Sequence, residues 1–222
     1  AISYFSVGDK YAFIKLTYNL SHEEIAALID SVEAGIDGYL TSASRGTTDV
    51  ERAAIVHDEL SLNCEYDMNY ASEINSGDKS CYYGSRMFLQ GSGVCQSYGY
   101  AYMYLMHRLG IECSFVTTPN DGMNHGWDEI CIDGYYYHVD VTWDDTDKYI
   151  GYVRHNYFLV SDEQFATPRG SSEHYGWTAL YPCPDTTYDS AFWYSENACS
   201  QLINVGDSCY FISSNGFKRY DY

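Results

Sequence analysis

The apolar positions change period several times along the chain, and each change marks an element. Residues 2–20 alternate and are rich in aromatic and β-branched types, which predicts strand. At Ser21 the period becomes helical: Ile25, Leu28, Ile29 and Val32 form a stripe behind a capping box of Ser21 with Glu24, and Gly35 marks the predicted end. The small polar run 41–48 reads as a loop. A second capping box, Thr48 with Glu51, predicts a helix to about Cys64 with Ala53, Val56 and Leu60 on one face. His57 lies on that helix and reads as a partly exposed or core-edge histidine rather than a catalytic one. Residues 65–85 are polar and turn-rich, leading to a short helix near 86–90.

The next stretch, GSGVCQSYGYAYMYLMHRL over 91–109, organises the rest. A Gly-Ser-Gly loop delivers Cys95 to the first turn of a helix whose Tyr98, Ala101, Tyr102, Leu105 and Leu109 recur at helical spacing, with Gly110 at the stop position. The unpaired N–H groups and dipole of a helix start favour a thiolate over a thiol, so this sulfur is placed to act as a nucleophile.

Residues 111–118 read as a strand and Pro119-Asn120-Asp121-Gly122 as a turn. In HGWDEICIDGYYYHVDVTW, Asp133-Gly134 stands between two strand-like runs and predicts a two-residue type I′ hairpin. That turn sets Ile132 against Tyr135, and counting outward sets Trp127 against Asp140 and His125 against Thr142. His125 and Asp140 then become diagonal neighbours on one face, within reach of each other. Ile130, Ile132, Tyr137, Val139 and Val141 fall on the other face, as a core-packed sheet requires. Further on, Asp144-Asp145-Thr146-Asp147 lacks the EF-hand spacing and reads as a solvated acidic loop. A short strand over 157–160 and a cap of Ser161 with Gln164 over a brief helix follow, then a loop-like run over 168–189 and two strands around 213–216.

Composition narrows the partners. With 12 Lys+Arg against 31 Asp+Glu the formal net charge is −19, which repels phosphate backbones, so no nucleic acid is expected. No run approaches the ~18 apolar residues of a bilayer span. The even count of 8 cysteines in an acidic, Tyr-rich chain points to a secreted or cell-surface setting, and a free Cys95 would leave at least one other thiol unpaired.

A nucleophile needs a base, and the base an orienter. Cys95 supplies the thiol, His125 the proton acceptor and Asp140 the group that fixes the imidazole tautomer. The backbone N–H of Cys95 is the first candidate oxyanion donor. Gln90 and Trp127 are further candidates for the oxyanion site or the cleft wall. No metal or cofactor is called for: a hydrolytic metal set of His125, Cys131 and His138 on one hairpin face lacks accompanying ligand spacing.

GVCQSYGYA, NHGWDEI and YYYHVDVTWDD, in that order, resemble the transglutaminase-like superfamily of papain-related cysteine enzymes. The resemblance covers roughly residues 49–165. Ser97 departs from a common glycine, and Gly126 and Asp128 flank the tryptophan. It implies an α+β fold, a papain-like core with the nucleophile at a helix N-terminus packed on an antiparallel sheet. The expected organisation is such a domain over 1–182 and a β-rich appendage over 183–222 that reads as the start of a further β region. The implied activity is thiol-dependent acyl transfer through Cys95, His125 and Asp140 on a carboxamide or peptide bond of a protein or peptide substrate, as transglutaminase or cysteine peptidase. The alternative is a catalytically silent domain that binds peptide or carbohydrate.

Overall fold

Two short polar signatures set where the first long helices begin, and both hold. In a computed structural model, which describes residues 2–7, 11–16, 20–117, 125–146, 152–166 and 180–222, Ser21 and Glu24 close a reciprocal capping box on α1 (His22–Ala43). Thr48 and Glu51 do the same on α2 (Asp49–Asn63). Before them lies an antiparallel hairpin, β1 (Ile2–Val7) and β2 (Tyr11–Leu16), so the alternating run at the start is two strands folded together rather than one.

Helix α1 overruns its predicted stop at Gly35 and takes in the first residues of the expected loop. Gly35 serves packing, because a Cβ there would lie 2.9 Å from the carbonyl oxygen of Phe88 on the neighbouring helix. A side chain is missing there so that two helices can touch, and the pattern of a stop signal is the same.

Between α2 and the nucleophile helix the chain is more structured than its polarity suggests. A two-residue strand β3 (Glu65–Tyr66) leads to α3 (Tyr70–Ser76), a 3₁₀ turn over Ser80–Tyr82, α4 (Gly84–Gln90) and β4 (Ser92–Gly93), which pairs in parallel with β3. Buried Arg86 organises this stretch by bonding Asp67 at 3.0 Å and Glu73 at 2.5 Å.

Helix α5 (Cys95–Arg108) follows, and Tyr98, Ala101, Tyr102 and Leu105 are all buried as their spacing requires. It packs on a four-stranded antiparallel sheet ordered β5 (Cys113–Thr117), β6 (Gly126–Ile132), β7 (Tyr135–Val139), β8 (Phe158–Val160). The β6–β7 turn is as the sequence predicts, with Ile132 against Tyr135 and positive φ at both Asp133 (52°) and Gly134 (85°). The predicted turn over 119–122 and most of the loop-like run after 166 lie outside the described residues.

The sheet is buried on both faces. Ile130, Ile132, Tyr137 and Val139 join the main core with α2 and α5, while Trp127, Val160 and Phe165 of α7 (Asp162–Ala166) form a second apolar cluster behind it. After α8 (Phe192–Ser195) the chain forms a three-stranded antiparallel sheet of β9 (Ile203–Val205), β10 (Ser208–Ser213) and β11 (Gly216–Asp221). Phe192, Trp193, Leu202 and Phe211 of this last stretch belong to the same main core as α2 and α5. Among the described residues no helix is long and apolar enough to cross a membrane, and six of the eight cysteines are buried.

Candidate active site

The start of α5 differs from the starts of α1 and α2: its N-cap is Val94, which offers no capping side chain. The first-turn N–H groups are therefore left without a side-chain cap at the turn that carries Cys95, a residue of intermediate burial. The loop before it is tied down from behind. The N–H of Val94 donates to the carbonyl of Cys81 at 3.2 Å, and the hydroxyl of Ser97 donates to the same carbonyl. Ser97, which departs from the family pattern, thus holds the nucleophile turn in shape.

His125 precedes β6 and is 8% exposed. Its ring lies close enough to Cys95 for the sulfur to raise its proton affinity, and its Nε2 lies 2.6 Å from Oδ2 of fully buried Asp140. Burial opposes the charged ring, yet the Asp140 carboxylate and Cys95 outweigh it and hold the His125 pKa up at about 10. Trp127 stacks on the imidazole at 5.9 Å and Trp143 meets it edge-on at 5.7 Å. Cys95, His125 and Asp140, far apart in the chain, lie together in one place.

The route to that convergence differs from the extrapolated register. The β6–β7 ladder ends at Asp128 opposite Val139, and Asp140 leaves the strand to become the N-cap of a one-turn helix, α6 (Val141–Asp144), accepting from the N–H of Trp143 at 3.1 Å. Thr142 is therefore helical and has no place opposite His125. The carboxylate stays on target because the cap and the ion pair use its two different oxygens.

Of the other two candidates, Trp127 is a wall of the site but no oxyanion donor, since its indole N–H donates to Nδ1 of His138 at 3.1 Å. Gln90 is the exposed last residue of α4. The metal set of His125, Cys131 and His138 does not assemble; His138 groups instead with Glu129 and Cys183. Both of its nitrogens are engaged, Nδ1 by Trp127 and Nε2 by Asp162 at 3.0 Å. Glu129 meanwhile accepts the N–H groups of Leu180 (3.2 Å) and Tyr181 (2.9 Å). This cluster clamps a loop to the back of the sheet.

Two further features went unread in the sequence. Tyr66, which pairs with Gly93 just ahead of the nucleophile, has its phenol pushed up by burial and by nearby Cys95, Tyr70 and Tyr82, so it stays protonated. Within the acidic run expected to be solvated, Asp144 is fully buried and half-buried Asp145 accepts from the hydroxyl of Tyr98 at 2.5 Å, while Asp147 lies outside the described residues.

Residues 39–141 match the profile of the transglutaminase-like superfamily. This segment holds all three converging side chains. No curated protein matches the chain. Among solved structures it is similar to a TGase crystal structure (18% identity, TM-score 0.45), covering 59% of this chain and 35% of that one. It is also similar to a candidate cysteine protease from Cytophaga hutchinsonii (16% identity, TM-score 0.39), covering 56% of this chain and 43% of that one. The match therefore spans less than half the length of either.

Proposed function

We propose that this protein is a thiol-dependent acyl-transfer enzyme acting on a carboxamide or peptide bond, with Cys95 as nucleophile, His125 as acid and base, and Asp140 as its orienter. The single observation that carries the reading is His125, bonded through Nε2 to a buried carboxylate and lying beside a half-buried sulfur at an uncapped helix start. Because Nε2 is committed to Asp140, the nitrogen that exchanges a proton with the sulfur is Nδ1.

The thiolate adds to the carbonyl carbon, forming the C–S bond and placing negative charge on the oxygen, where the backbone N–H of Cys95 donates to it. The imidazolium gives its proton to the departing nitrogen as the C–N bond breaks, leaving a thioester and a neutral ring. Water or an amine then attacks the thioester, His125 takes the proton of the attacking group, and the thiolate leaves. Hydrolysis and transfer share every residue and differ only in which acceptor arrives.

Incubation with a library of glutamine-containing peptides, with and without a primary amine and with masses read before and after, separates the outcomes. Ammonia release with amine incorporation identifies transfer, and chain cleavage identifies a peptidase. Tight peptide or sugar binding with no chemical change, together with an unreactive Cys95, would replace the enzyme by the binding module.

A further inference from the structure

Helix α6 is a single turn of four residues. So short a helix has almost no stability of its own, because helix nucleation is costly. Its position, and with it the position of Asp140 at its cap, must be imposed by neighbours. The segment that follows Asp140 shows how. Asp144 accepts the N–H groups of Asn156 at 2.9 Å and Tyr157 at 3.0 Å. Its Oδ2 also faces Nε2 of His57 on α2 at 3.3 Å. The other ring nitrogen of His57 meets Asp58 at 3.0 Å, and Asp58 in turn holds His155 at 2.8 Å and the N–H of Leu202 at 2.8 Å. All four of these side chains, His57, Asp58, Asp144 and His155, are buried. On the opposite side Asp145 is held by Tyr98, one turn after Cys95 on the nucleophile helix.

We propose that His57, acting through Asp144, and Tyr98, acting through Asp145, are positioning residues that fix Asp140 against His125. Three consecutive tasks fall to one short stretch: Asp140 orients the base, Asp144 locks the turn to α2, and Asp145 locks it to the helix that carries the sulfur. The tether through Tyr98 joins the orienter to the nucleophile's own helix, so the two ends of the triad keep a common frame when α5 shifts. His57 is fit for this work because it lies between two carboxylates. Burial opposes its charge, but Asp144 and Asp58 outweigh it and raise its pKa. A buried imidazolium between two aspartates is a stiff strut, since moving either partner uncovers a charge.

The inference rests on the triad reading, and the test separates the two. Tyr98→Phe removes one oxygen and keeps the packing, Asp144→Asn removes the charge facing His57 and keeps an acceptor for one of the two backbone N–H groups, and His57→Gln removes the strut. In the whole protein, the imidazole C–H resonances of His125 are followed by NMR against pH, while thermal melting reports folding. The expected result is a fall of about one unit or more in the His125 titration midpoint in folded Tyr98→Phe and Asp144→Asn protein, roughly a tenfold loss of proton affinity. His57→Gln should match or exceed that fall where it folds. A midpoint unchanged from wild type in folded Tyr98→Phe and Asp144→Asn would overturn the inference. If iodoacetamide fails to label wild-type Cys95 ahead of the other thiols, the triad reading itself falls. If Cys95 is labelled first and the midpoints do not move, only the struts fall.

Discussion

Two buried histidines in this molecule each face an aspartate, and they do different things. His125 pairs with Asp140 at 2.6 Å and still reaches a half-buried sulfur. His57 is sealed, with both nitrogens turned to carboxylates, Asp58 at 3.0 Å and Asp144 at 3.3 Å. The difference teaches that an imidazole–carboxylate pair is not by itself chemistry. One ring nitrogen must be left for a reacting group that can be reached from outside. Where both are taken, the same pair is structural glue.

The sharpest way to break the comparison is at the sulfur. Cys95→Ala is expected to reduce product formation in the glutamine-peptide assay to background while leaving thermal melting near wild type, because the position is a partly exposed helix start. Next in size, Asp140→Asn should lower the rate by about 10³–10⁴ with the fold preserved, since the amide holds the wrong tautomer of His125. A variant keeping most of its rate would remove Asp140 from the mechanism.

His57 should behave in the opposite sense, with a large stability effect. His57→Gln leaves Asp58 and Asp144 buried without their cation and is expected to cost about 3–5 kcal/mol in denaturant unfolding. A cost below about 1 kcal/mol would mean that the two carboxylates do not depend on His57 for their charge balance. The pH dependence follows from the raised pKa of each ring. The stability from His57 is complete below its unfolded value of about 6.5 and is lost as pH rises through about 9. Unfolding free energy measured from pH 7 upward should therefore fall in wild type and fall less steeply in His57→Gln. The rate should likewise persist until pH rises through about 10, where His125 loses its proton, and should fail at lower pH in Asp140→Asn.

A smaller effect tests a third carboxyl. Burial first, and then the charge of Asp140, push the Asp128 pKa well above its ordinary range. Its native pKa lies above its unfolded one, so it lowers stability as pH rises past about 3.9. Asp128→Asn should raise the melting temperature at pH 7 by about 2–4 °C and leave it unchanged at acid pH. A lower melting temperature at pH 7 would mean that the carboxylate is ionised and paired.

Local signals carried most of the fold. The capping boxes at Ser21 and Thr48, the helical stripe after Cys95 and the Asp133-Gly134 turn each act within a few residues, and each is where its letters put it. The hairpin register was legible as far as Asp128 and Val139 because one tight turn fixes it, whereas His125 and Asp140 were picked out by residue type and order. What was not legible depends on contacts between distant segments. Gly35 reads as a helix end until Phe88 is seen against it. Asp144 and Asp145 read as solvated until His57, more than eighty positions earlier, and Tyr98 are seen to claim them. The exit of Asp140 from its strand was hidden for the same reason, because a bulge at the β7–β8 pairing ends the regular ladder there.

The account depends most on a sulfur made reactive by His125 rather than merely exposed. Cys131 is the natural control, being of intermediate burial like Cys95 while the other six thiols are buried. Brief alkylation with limiting iodoacetamide near neutral pH, followed by peptide mass mapping, should place the label on Cys95 well before Cys131. That lead should disappear in His125→Gln. Equal labelling of Cys95 and Cys131 in wild type, or a lead that survives His125→Gln, would contradict the account.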